Sequence, residues 1–103
     1  MIRVDWSNPA LDDLDNIVRY ISKDSPYYAR EFTERVFDRT DKLGEFPRVG
    51  RWVPEADDKT IREVFVQGYR VMYRVETERV LVLAVLHGSR DVAGRNDKPW
   101  GNA

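Results

Sequence analysis

Apolar and polar residues alternate at the start of the chain. Ile2, Val4 and Trp6 fall on one side and Arg3 and Asp5 on the other, the period-two pattern of a short half-buried strand. The period then lengthens. Leu11, Leu14, Ile17, Val18 and Ile21 recur at helical spacing and form one apolar stripe. Asn8 can cap this helix, and Pro9 suits its first position because the missing N–H would be unpaired there anyway. Asp12 and Asp13 are placed in its first turn, near the positive end of the helix dipole, and the helix should end near Lys23-Asp24. Ser25-Pro26 repeats the start signal. A second helix carries Ala29, Phe32, Val36 and Leu43 on one face and stops at Gly44. So short a join predicts an antiparallel helical hairpin.

From Phe46-Pro47 through Asp57-Asp58 the pattern breaks, with Pro47, Gly50 and Pro54 as interruptions. Ile61–Val66 and Tyr69–Val75 are then β-type runs separated only by Gln67-Gly68, which predicts a two-residue hairpin with Gly68 at positive φ. Thr77-Glu78 supplies the next turn. Val80–Leu86 is apolar without alternation, so that strand should lie inside the sheet with both faces covered. After His87-Gly88 the chain turns polar, and residues 92–103 read as a loosely held tail in which Trp100 stands out. The order β-α-α-β-β-β predicts an α+β fold, a helical hairpin on one face of a small antiparallel sheet with the other face partly open.

Composition narrows the picture. The chain has 103 residues, which fits one domain spanning 1–103. A chain of this size buries roughly two-thirds of its unfolded surface, enough for one modest core. With no cysteine and a single histidine, disulfides, thiolate metal sites and multi-histidine sites are excluded, and no cofactor is implied. The charge is balanced, 17 Lys+Arg against 18 Asp+Glu, unlike the basic excess of an unaided nucleic-acid binder. No apolar run has the length needed to span a membrane, and the opening strand does not resemble a signal peptide, so the expected location is the cytoplasm.

Arg62, Arg70 and Arg90 stand beside strands, which points to an anionic partner. Arg70 alternates with Tyr69, Val71 and Tyr73; if those face the core, Arg70 faces the open side. There it can hold a phosphate bidentately or pair with a carboxylate such as Glu63, and both readings stand. Glu63 shares a strand face with Ile61 and Phe65, where it can act as a base or pair with Arg70 or Arg51. Arg62 falls on the other face. His87 can titrate near neutral pH, although a lone histidine at a strand end is more often a hydrogen-bonded structural residue.

In order and spacing, several short motifs resemble the RelE/ParE superfamily of bacterial type II toxins, most closely its ParE branch of plasmid stabilisation proteins. They are Trp6-Ser7, Tyr20-Ile21, Phe46-Pro47, Gly50-Arg51, Pro54-Glu55, Arg62-Glu63, Tyr69 to Arg74 and Val85 to Asp91. The resemblance runs from about Val4 to Trp100. It implies a cognate antitoxin partner in a hetero-oligomeric complex, and one of two toxic activities. ParE-type members poison DNA gyrase. RelE-type members cleave mRNA on the ribosome through the RNA 2′-hydroxyl, without a metal; an inactive relative that only binds antitoxin is a third outcome.

For RNA cleavage the resemblance puts Arg70 and Arg90 on the phosphate, with His87 or Glu63 moving protons. For partner recognition it implies Arg62, Arg70, Arg90 and Trp100. Ribosome-dependent cleavers commonly carry a lysine cluster before the Tyr-Arg pair and a tyrosine after the last arginine. This chain has Ile61 and Glu63 in the earlier strand and Asn96 near the tyrosine position, and it lacks the strong positive charge that ribosomal RNA rewards. These departures favour the gyrase reading.

Overall fold

The computed structural model describes residues 1–89 and 98–101. Its elements run β1 (Arg3–Trp6), α1 (Asn8–Ser22), α2 (Pro26–Asp41), a 3-10 turn (Lys42–Gly44), β2 (Arg51–Trp52), β3 (Ile61–Val66), β4 (Tyr69–Val75) and β5 (Arg79–His87). Among the described residues the strands make one five-stranded sheet in the order β1-β5-β4-β3-β2. The α+β class and the helical hairpin are as the pattern predicts. The sheet, however, is mixed: β1 lies parallel to β5 at one edge, because the helical hairpin carries the chain back to the start of β1, where Ile2 N–H bonds to Gly44 O at 2.9 Å. The two-residue β2, hidden among the breakers, pairs antiparallel with β3 at the other edge.

Local chemistry shifts several boundaries. Ser7, not Asn8, caps α1, its Oγ accepting from Ala10 N–H at 3.2 Å, so Asp12 and Asp13 fall beyond the first turn. Asp13 is used elsewhere. Beyond Trp6 the edge of β5 has no strand beside it, and the start of α1 supplies its partners. Ser7 N–H donates to Val82 O at 3.0 Å, and Val85 N–H donates to Asp13 Oδ2 at 3.0 Å. Leu14, Ile17, Val18 and Ile21 pack against the core as the stripe predicts, but Leu11 is exposed and Ala10 takes the inward position in the first turn. Gly44 is explained by the close approach of β1: a Cβ there would stand 2.5 Å from Ile2 O. Gln67 and Gly68 both adopt positive φ, 48° and 83°, which makes the β3–β4 connection a type I′ turn.

The absence of alternation in β5 has a structural cause. Met72 faces Ala84 while Tyr73 faces Val82, so Leu83 is an extra residue and β5 bulges there. The bulge puts Leu83 and Ala84 on the same side and resets the phase. Val80, Val82 and Val85 face the helices, packing with Leu14, Phe32, Val36, Val71 and Tyr73. Leu83, Ala84 and Leu86 face away, packing with Val53, Ala56, Ile61 and Met72. The side away from the helices is therefore not open at its centre. The segment after β2 crosses it, and Trp100 packs against it beside Leu81.

Candidate functional site

Beneath that crossing segment lies a group of four charges. In the β2–β3 ladder Arg51 stands directly opposite Glu63, and Arg70 on β4 sits diagonally across from Glu63 on the same face. Val53 N–H bonds to Ile61 O at 3.1 Å and anchors the crossing segment, which brings Glu55 down onto Arg70. The Glu55 carboxylate grips Arg70 with two oxygens, at 2.7 Å to Nη1 and 2.7 Å to Nη2. Arg70 Nε donates to Glu63 Oε1 at 2.7 Å, and Arg51 Nε donates to Glu63 Oε2 at 2.6 Å. Arg70 is 4% exposed and the Glu63 side chain 0%, while the Arg51 side chain reaches water. Two cations and two anions leave the group neutral. Hydrogen bonding to Glu55 is the largest influence on the Arg70 guanidinium and raises it above the ordinary arginine value; desolvation opposes this and Glu63 supports it.

Arg70 thus points away from the helices as its alternation predicts, but it is buried and paired instead of presented to solvent. Glu63 shares that face and has both oxygens bonded, making the pairs with Arg70 and with Arg51 that the sequence left open. Arg62 lies on the helix side, where Nη1 donates to Arg48 O at 3.2 Å and to Gly50 O at 2.7 Å. There it pins the 48–50 loop. Gly50 fits that loop because a Cβ would come within 2.5 Å of both Glu63 O and the Tyr73 hydroxyl. The Tyr73 hydroxyl accepts from Gly50 N–H at 3.0 Å, and burial raises its pKa above the usual phenol value.

His87 is also on the helix side, exposed at the end of β5 with its ring edge-on to Tyr69 at 5.6 Å. Its Nδ1 lies 2.8 Å from Ser89 Oγ and 3.3 Å from Ser89 N. Gly88 N–H bonds to Gly68 O at 2.7 Å and ties this end of the strand to the β3–β4 turn. The sheet therefore separates His87 from Arg70 and Glu63. Arg90 and Asn96 lie outside the described residues. Trp100 is seated on the face away from the helices, its carbonyl accepting from Arg74 Nη2 at 2.8 Å. Among the described residues no group of three or more His, Cys, Asp or Glu side chains could hold a metal ion, and no helix is long and apolar enough to cross a membrane.

Sequence reasoning did not place Glu55 in the ion group, although the Pro54-Glu55 step after a broken segment was a visible signal. It also passed over three exposed apolar residues of the irregular stretch, Phe46, Val49 and Trp52. Their mark in the sequence is large apolar side chains set among Pro and Gly breakers.

The sequence profile of the family described as "ParE toxin of type II toxin-antitoxin system, parDE" matches residues 4–92. A protein of Sinorhizobium fredii (strain NBRC 101917 / NGR234) described as "Putative toxin Y4kP" is 34% identical over 87 residues, covering 82% of this chain and 86% of that protein. In fold the chain is similar to a component of a chromosomal ParDE toxin–antitoxin system from P. aeruginosa. The TM-score is 0.69 at 19% identity, with 84% of this chain and 96% of that one covered. It is also similar to a component of the RelBE2 toxin–antitoxin complex from Mycobacterium tuberculosis, at TM-score 0.54 and 23% identity, with the same coverage of both chains. At these identities the structural likeness speaks for the fold alone.

Proposed function

Since the chain belongs to the ParE toxin family of type II toxin–antitoxin systems, we propose that it is a protein ligand of DNA gyrase, silenced by a cognate antitoxin, and not an enzyme. Gyrase is the target that the resemblance to the ParE branch implies, and a cytoplasmic location goes with it. The observation that supports this over RNA cleavage is the separation of the candidate catalytic groups. Acid–base cleavage needs an arginine on the phosphate and a base and acid within about 3 Å of the reacting oxygens. Here Arg70 and Glu63 bond each other beneath the crossing segment, and His87 is on the opposite side of the sheet. A poison of another enzyme needs none of these groups free, only a surface that traps its target.

Two assays on the purified chain separate the readings. With gyrase and supercoiled DNA, the proposal expects accumulation of covalent gyrase–DNA breaks that depends on toxin concentration. In a ribosome-containing translation extract it expects intact mRNA. Codon-positioned mRNA breaks with no effect on gyrase would overturn the proposal in favour of the nuclease. Harmless expression of the chain in its own host, with both assays negative, would leave only the antitoxin-binding relative. The antitoxin is found by selecting, from a library of host genome fragments, the one that restores growth to cells expressing the toxin.

A further inference from the structure

Charge is balanced over the chain but not over its surface. Arg3, Arg19, Arg35, Arg51, Arg70 and Arg79 each meet a carboxylate between 2.6 and 3.2 Å. Among the described residues several other cations meet none, and of these Arg39, Lys42, Arg48, Lys59 and Arg62 collect at the β2 end of the fold. From α2 into the 3-10 turn, Arg35, Arg39 and Lys42 line a groove of about 310 Å³ against Phe65, Val66 and Gln67. Burial pushes the Tyr73 phenol up, and Arg39 and Arg62 both pull against it, so these two cations approach the same hydroxyl. Arg62 donates to Arg48 O and lies 5.7 Å from the centre of the Trp52 ring, while Lys59 Nζ lies 5.0 Å from the same centre. The ring steadies both cations without cancelling their charge. Asp38 is the one acid on the groove wall; with Asp41 and Glu45 it also borders a separate hollow beyond Lys42, beside Met1. Asp58 is turned to Thr60.

A strip of like charge running from α2 over the end of the sheet to the crossing segment has no single focus. A small anion needs donors that converge, so the strip suits a polyanion. Arg35, Arg39 and Lys42 span about 10 Å of helix axis, the axial length of about three phosphates of one DNA strand. An acidic protein would bring an apolar core to the contact. The groove answers it poorly: Val66 is buried, and the Phe65 ring lies under the Arg51 guanidinium at 5.0 Å. We propose that this strip lies along the phosphate backbone of duplex DNA. A chain of formal charge −1 binds DNA weakly by itself, so the contact counts where another protein already holds the duplex. In this the inference rests on the gyrase reading above, and the DNA is the segment that the enzyme holds.

The test compares the full chain with a triple variant, Arg39→Gln, Arg48→Gln and Lys59→Gln, whose fold is checked by circular dichroism and melting. Arg62 is kept because it pins the 48–50 loop. Arg30→Gln is the control, an exposed cation on another face of α2. By fluorescence anisotropy at low salt, the parent should bind a labelled duplex weakly. The triple variant should bind about tenfold more weakly, with a salt slope smaller by about three. The control should change by less than about twofold. On gyrase, the triple variant should bind the DNA-free enzyme as the parent does, yet need about tenfold more protein to accumulate the same covalent breaks.

No duplex binding by the parent at low salt, or equal binding by the folded triple variant, would overturn the strip. A matching loss of affinity for DNA-free gyrase, with duplex binding unchanged, would overturn it in favour of an acidic patch on the enzyme. A parent that binds the duplex through these residues but leaves gyrase untouched would sink the gyrase reading and leave the DNA contact standing.

Discussion

The two sides of the sheet are sealed by different chemistry. Toward the helices, Phe32, Val36, Leu43, Val71, Val80 and Val82 are fully or almost fully buried, and each contributes by leaving water, without regard to direction. On the other side a smaller apolar group around Met72 and Leu83 shares its cover with Arg70, Glu63 and Glu55, whose geometry is set by hydrogen bonds between 2.6 and 2.7 Å. An apolar seal tolerates small shifts and is weakened in proportion to the volume removed. A charged seal holds one geometry, and loss of one member leaves its partners buried and unmatched. The crossing segment is too irregular to bury a long apolar stripe, so directional bonds fix its path where packing alone would not.

The sharpest test of this contrast is Arg70→Ala. It leaves the Glu55 and Glu63 carboxylates turned toward each other without the cation between them, which should destabilise the fold by about 3–5 kcal/mol in urea titration. The combined replacement of Arg70, Glu63 and Glu55 by apolar residues of similar size should recover most of that loss, because desolvating the charges offsets much of their attraction. A single variant costing less than about 1 kcal/mol would mean that the crossing segment is held by Val53 and Ala56 alone. Any activity assay of an Arg70 variant therefore needs a stability measurement beside it.

On the helix side the corresponding change is Val36→Ala. Val36 is 0% exposed, and removing its two methyl groups should destabilise the fold by about 2 kcal/mol. No second substitution should recover this loss except one that refills the space. Loss of Val36 that is repaired by altering a charge would break the distinction between the two faces.

How much of this was legible beforehand follows from the kind of force involved. The helices announced themselves because packing against a sheet demands one apolar stripe, and both stripes carried their Ser-Pro or Asn-Pro starts. The β3–β4 hairpin was equally clear, since a two-residue turn needs residues such as Gly68. The parallel placement of β1 was not, because strand direction depends on where the helical hairpin returns the chain, and no residue of Arg3–Trp6 records that. The bulge at Leu83 was seen only through its effect, the lost alternation of Val80–Leu86.

At the candidate site the alternation correctly separated Arg62 from Arg70 and Glu63, since the period of a strand fixes its faces. It could not say that Glu55, fifteen residues before Arg70 by the numbering, would arrive over it. A bond between a loop and a strand leaves no periodic trace. Nor could it put His87 across the sheet from Arg70: the phase of β5 depends on the bulge.

Tyr73 joins the two regimes, and Tyr73→Phe should give the smallest effect of the three. Its ring packs on the helix side, while its hydroxyl holds Gly50 N–H and so steadies the loop that leads into β2. At neutral pH the change to Phe removes that acceptor and should cost about 1 kcal/mol. The difference should then depend on pH. Burial raises the Tyr73 phenol above its ordinary value of 10.0, so the unfolded chain gives up this proton first. The stability tied to the protonated phenol is complete below about pH 10 and declines as the pH rises toward the folded value. The Tyr73→Phe variant has no phenol to titrate and would carry no such loss, so the gap between the two proteins in urea midpoint should narrow above about pH 10. A gap that stays constant to about pH 11 would mean that the hydroxyl reaches water in the folded chain, and the 48–50 loop would then have to be held by Arg62 alone.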